Sequence, residues 1–203
     1  MEQIEVQLQH ASLSSVRPAQ MTVGMREVTA KRKELRKLSK EEKRERMSQT
    51  VIPGVKGPAD AYYLIDHHHE ALALLREGGN GVSIAVVKDL SGLSQEAFWT
   101  FLDHFSWVHC YDDAGRRRPW SEMPKTLMAM RDDPYRSLAS AVRDAGGFAK
   151  SREPFLEFLW ANFLREKISS TKLKEDWKDA VARALELTAS RKAKHLPGWC
   201  GEE

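Results

Sequence analysis

Cysteine is scarce, with only Cys110 and Cys200 in 203 residues. Two thiols make no disulfide framework and cannot supply a four-thiolate zinc site. Long apolar runs are missing as well. No stretch approaches the roughly 20 residues that a membrane-spanning helix needs. The polar opening MEQIEVQLQH lacks the features of a signal peptide. Charge of one sign is not in excess, because 32 basic against 29 acidic side chains leave +3. That balance excludes a globally cationic DNA coat and still permits a local basic face. Walker loop, GxSxG elbow, HExxH helix and dinucleotide fingerprint are all absent. Internal repeats and low-complexity linkers are absent too. Apolar residues, at 41%, suffice for a packed core. The expectation is a soluble, reduced, cytoplasmic protein of one domain, or one domain with an appendage.

Punctuation divides the chain. Residues 1 to 16 form a lead-in with some alternation at Ile4, Val6 and Leu8, ending in an extended piece near Val16. Arg17-Pro18 follows, and a helix is predicted from about Met25 to Leu38. Ser39 with Glu42 three residues later is a capping-box signature for a second helix to about Met47. The Lys/Arg-rich stretch from 31 to 46 carries interleaved glutamates and no aromatics, which reads as a solvated face laced with i,i+4 pairs. Val51 to Val55 and Tyr62 to Ile65 read as two strands joined by a turn. A helix from His67 to Gly78-Gly79, a buried strand over 82 to 90, a Ser94-capped helix to 105 and a short strand at 107 to 111 come next.

Beyond Pro124 the texture turns helical. Asp133 and Pro134 mark a helix start and Gly146-Gly147 its stop. PFLEFLWANFLREKI and LKEDWKDAVARALELTAS predict two more helices. Their stripes (Phe155, Phe158, Leu159 and Phe163; Trp177, Val181 and Leu185) are expected to face a core. Cys110 reads as a small buried apolar residue, and Trp199-Cys200 as a docked tail or a frayed end. GRRRPW at 115 to 120 sets three arginines beside Trp120. That suits a nucleic-acid backbone and a stacked base, or simply a tight turn with exposed cations.

One segment stands out for chemistry. In YYLIDHHHEALAL a strand runs into Asp66-His67-His68-His69 and a helix begins at once. Such a turn gathers unpaired backbone N–H groups and the positive end of the helix dipole, where an anion is at home. Histidines there can donate to phosphate, move protons near neutral pH or bind metal. Asp66 is placed to cap the helix or to orient an imidazole. Consecutive residues point in different directions, which weighs against three histidines sharing one ion.

The order of the segments resembles the ParB/sulfiredoxin superfamily, and more narrowly its branch of ParB-like nucleases. The resemblance rests on Arg17-Pro18-Ala19-Gln20, with Val23-Gly24 and Glu27-Val28 after it, and on Asp66-His67-His68-His69-Glu70. These stand where the superfamily has an R-P-x-Q/E box and a D-G-H-H-R turn, over residues 10 to 110. It implies an α+β fold, with a ParB/sulfiredoxin-like small mixed-sheet domain over 1–122 and a C-terminal helical subdomain over 123–203. It also implies binding of a nucleotide or a nucleic-acid phosphate, with Mg²⁺ accompanying a nucleotide. ParB proteins hydrolyse CTP, sulfiredoxins use ATP and one branch phosphorylates free serine.

Carried over residue by residue, the catalytic candidates are Asp66, His68, His69 and Glu27. The phosphate-binding candidates are His67, His68, His69, Gln20 and Lys31. The pattern departs at two places: His67 stands for the glycine and Glu70 for the arginine, a bidentate phosphate clamp. Sulfiredoxin chemistry is excluded, since no cysteine stands at 67 or 68. Replacement cations could come from Lys31, Arg32 or Arg116-Arg117-Arg118. Nuclease, nucleotide hydrolase or phosphotransferase activity is one reading. A catalytically inactive DNA- or protein-binding module and a metal-dependent hydrolase are the others.

Overall fold

The β-branched run VSIAVV builds the strand around which the first part of the molecule is organised. A computed structural model describes residues 7–201. The chain divides into two units. The first takes the chain up to Val23 and then Glu27–Asp132, and the second takes Gly24–Arg26 and the chain from Asp133.

In the first unit, β6 (Gly81–Asp89) pairs antiparallel with β1 (Gln7–Ser12) and parallel with β4 (Val51–Lys56). β5 (Tyr62–Leu64) runs antiparallel to β4, and β2 (Arg17–Pro18) lies parallel on β5. The sheet is therefore mixed, five-stranded and ordered β1-β6-β4-β5-β2. Pro18 occupies an edge strand, where its missing N–H breaks no ladder. Any side chain at Gly57, at the β4–β5 turn, would force packed rings to move. A Cβ there would stand 2.7 Å from the Tyr63 ring and 2.8 Å from Phe98. A separate parallel pair joins β3 (Thr22–Val23) to β7 (Arg131–Asp132), which keeps the chain in this unit as far as Asp132.

Four helices accompany the sheet: α1 (Met25–Lys37, whose first residues belong to the second unit), α2 (Lys40–Gln49), α3 (His68–Arg76) and α4 (Gln95–His104). Helix α2 buries none of its residues, and the expected capping box holds its start: Ser39 Oγ accepts from Glu42 N–H while Glu42 accepts from Ser39 N–H. Ser94 caps α4 through Ala97 N–H. Tyr63, Phe98, Trp99, Leu102, Val108, Cys110 and Met123 pack one of the unit's apolar clusters.

Three sequence expectations are corrected here. The lead-in becomes a strand from Gln7, because its backbone completes the ladder of β6; Ile4 and Val6 lie outside the described residues. Residues 107 to 111 form no strand, only isolated bridges of His109 with Gln20 and of Tyr111 with Arg117. The cations of α1 are not laced along their own helix. Arg32 and Arg36 both reach Glu77, at 2.7 and 2.9 Å, and Lys31 reaches Glu70, so they join α1 to the α3 segment.

The second unit is helical: α5 (Pro134–Asp144), α6 (Leu156–Lys167), α7 (Ser170–Glu175) and α8 (Trp177–Ala189). Asp133 caps α5, accepting from Tyr135 and Arg136 N–H, and is held by Arg165 at 2.6 Å. Residues 173–189, expected within one helix, break at Asp176, whose carboxylate accepts from Asp179 N–H and starts α8 afresh. On α6 the buried stripe runs through Phe158, Trp160, Phe163 and Leu164, whereas Leu159 is 42% exposed rather than in the core. Trp199 docks, with its indole N–H on Ser190 O. No helix among the described residues is long and apolar enough to cross a membrane.

Candidate functional site

Strand β5 ends at Leu64, and Ile65 and Asp66 lead to a sharp reversal at His67. His67 adopts the left-handed region (φ 57°) that favours glycine, the residue the resemblance expects there. The N-cap of α3 is His67 and not Asp66. The Asp66 carboxylate accepts instead from His67 N–H at 2.6 Å, so α3 opens with no side-chain cap. The positive end of the helix dipole there is met by Glu70 in the first turn and opens on the space in front of it.

The three histidines part company, as the geometry of adjacent residues requires. His67 lines a cavity of about 460 Å³, together with Asp66, His69, Glu70, Lys31 and Arg46 and the α2–β4 junction Gln49–Val51. His68 points inward and is buried. Its Nε2 accepts from Ala19 N–H at 3.3 Å, and that N–H also donates to Leu64 O. Burial, reinforced by His69 and His67, pushes its pKa down to about 3 against a hydrogen bond to the Leu64 backbone. His68 is therefore a neutral tie between the two sequence boxes, away from the cavity. Gln20 is likewise buried, with its amide donating to Thr22 O at 2.7 Å, and it does not line the cavity.

His69 faces the cavity and pairs through Nε2 with Glu27 Oε1 at 3.3 Å. Glu27, in the first turn of α1, stands behind the imidazole rather than on the cavity wall. Lys31, one turn further along α1, also reaches the wall, and its ammonium is 2.7 Å from Glu70. Arg46, from the last turn of α2, meets the same carboxylate at 3.4 Å. Burial raises the Glu70 pKa, but the Lys31 hydrogen bond and charge, with Arg46, hold it below the usual carboxylate range.

Of the sequence-derived candidates, the structure brings Asp66, His67, His69, Glu27 and Lys31 together and leaves His68 and Gln20 behind the wall. Arg46 and the organising role of Glu70 are additions. A helix with no apolar face, as α2 is, must be placed by its charges, and that was the available signal for Arg46. Arg32 goes to Glu77, and Arg116 to Arg118 do not line this cavity. Among the described residues, no three His, Cys, Asp or Glu groups converge so as to hold a metal ion.

The fold and turn together define a small mixed-sheet α+β domain whose His-rich strand-to-helix turn opens on an ionic cavity. The chain belongs to the family described as "Putative ParB-like nuclease", whose model matches residues 9–166. It is also similar to protein Atu1540 from Agrobacterium tumefaciens, known from a crystal structure. The two share 44% identity with a TM-score of 0.93, over 98% of this chain and 99% of that one. Comparison with curated proteins found no match.

Proposed function

We propose that the protein binds a phosphate group of a nucleotide or nucleic acid in the His67–Lys31–Arg46 cavity and cleaves or transfers it there. The observation that carries this reading is His69, backed by Glu27 and facing a cavity that is also lined by two cations beside a helix start with no side-chain cap. Lys31 and Arg46 attract the anion, and the α3 N-terminus stabilises charge developing on phosphate oxygens. Glu27 holds the Nε2 side of His69 and so sets the ring orientation. His69 takes a proton from the attacking group or returns one to the leaving oxygen. The family's description favours a nucleic-acid phosphate as the substrate.

The single carboxylate of Asp66 suits a Mg²⁺ that arrives with phosphates and keeps its waters. Mg²⁺ would supply charge neutralisation on the phosphate oxygens. Glu70 favours a second reading, because it already occupies both cations: a module that binds phosphate without turnover.

The test is cleavage of labelled single- and double-stranded oligonucleotides and phosphate release from nucleoside triphosphates, with and without Mg²⁺. Turnover by the wild type that falls about 10²- to 10⁴-fold in His69→Gln supports the reading. Glu27→Gln should lose less and keep its KM. Turnover that survives His69→Gln overturns the catalytic assignment. Binding without turnover in the wild type establishes the second reading.

A further inference from the structure

The GRRRPW segment takes no part in the site above, and the structure gives it a shape of its own. Trp120 is 39% exposed and stacks on buried Trp99, with ring centroids 6.2 Å apart and planes 18° from parallel. Beside this pair lies a second cavity of about 200 Å³, to whose mixed lining Trp99, Val108, Cys110, Pro119 and Trp120 contribute the apolar part. Burial and Asp103 push the Cys110 thiol up to about 11, so that wall is uncharged. Thr100, Asp103, Arg117 and Arg118 form the polar part of the lining. The two guanidiniums pair with Asp103 and Glu122, each at 2.9 Å, in exposed bridges. Bridges of that kind are worth little and exchange readily for a phosphate. Arg116 next to them is exposed as well.

We propose that this cavity is a nucleobase-stacking subsite for single-stranded nucleic acid. A small cavity beside a stacked indole pair suits one heterocycle, and the half-exposed indole of Trp120 offers a π-face to any base. Cations at the mouth suit the sugar–phosphate backbone on either side of that base. A duplex keeps its bases stacked on each other, so only an unpaired or extruded base can enter. The subsite stands on residues distinct from the phosphate cavity and does not depend on its chemistry.

Fluorescence anisotropy with an end-labelled single-stranded 12-mer tests this. The comparison strands are the same 12-mer with abasic sites and its duplex. Trp120→Ala should weaken binding of the intact strand about 5- to 150-fold, while Trp120→Phe keeps most of the affinity. The abasic strand should bind the wild type as weakly as the intact strand binds Trp120→Ala. Equal affinity of wild type and Trp120→Ala for the intact strand overturns the subsite, as does no binding of single strands at all. A loss confined to His69→Ala also overturns it while leaving the phosphate cavity standing. Should Trp120→Ala melt early, the intact-versus-abasic comparison on the wild type decides alone.

Discussion

Two residues that are neighbours in sequence do opposite work. His68 is buried and neutral, whereas His69 is at the cavity wall with Glu27 behind it. The burial of His68 has a pH signature. Its folded pKa is about 3, against 6.5 for an ordinary imidazole. Above pH 6.5 both folded and unfolded chains carry it neutral, and it contributes no pH dependence. Below that, the unfolded chain takes up a proton that the folded one refuses, so stability falls as pH drops from 6.5 toward 3. The cost at pH 5 is about 2 kcal/mol. Urea unfolding at pH 7 and pH 5 should show this loss in the wild type and a smaller one in His68→Gln. Equal losses in both would place the acid sensitivity elsewhere. Glu70 makes a second residue-scale case. It competes for Lys31 and Arg46, so Glu70→Gln should bind inorganic phosphate or a nucleotide several-fold more tightly by calorimetry. Weaker binding would show that Glu70 positions the cations rather than occupying them.

Elements explain what could and could not be read in advance. Caps and breakers act within a few residues, and those signals were legible: Ser39 with Glu42, Ser94, Asp133 with Pro134 and the β5–α3 turn all stand where the sequence put them. Long-range partners were not legible. The α1 cations read equally well as i,i+4 partners until the fold sets Glu70 and Glu77 opposite them. His68 and His69 looked equivalent because only the position of Ala19, 49 residues away, decides which ring is buried. Residues 107 to 111 have a strand's composition, but no neighbour continues the ladder beyond one bridge. Helix α2 buries none of its residues; the capping box holds its start and Arg46 ties its last turn to Glu70. Ser39→Ala should cost about 1 kcal/mol and speed amide exchange along α2 ahead of the rest of the unit. Phosphate affinity should fall with it, as Arg46 loses its anchor. Unchanged exchange in α2 would show that the helix is held by something other than its cap.

At the scale of the whole molecule, a net charge of only +3 means that attraction for a polyanion is local and concentrated at the cationic groups described above. Binding of a nucleic acid should therefore weaken with salt by a shallow slope, set by a few phosphates rather than many. The chain belongs to the ParB-like family, and the cavity around His69 is where we propose that a phosphate is bound. The measurement that bears on this most directly is a thermal-shift panel of nucleotides, short single-stranded DNA and inorganic phosphate. Each is run with and without Mg²⁺, on the wild type and on a His69→Ala/Lys31→Ala double variant. A ligand that binds only the folded state raises the melting temperature by mass action. The expected result is a rise for at least one phosphate ligand that disappears in the double variant while cooperative melting persists. No rise with any ligand, or an equal rise in the double variant, would contradict a phosphate site at the His-rich turn.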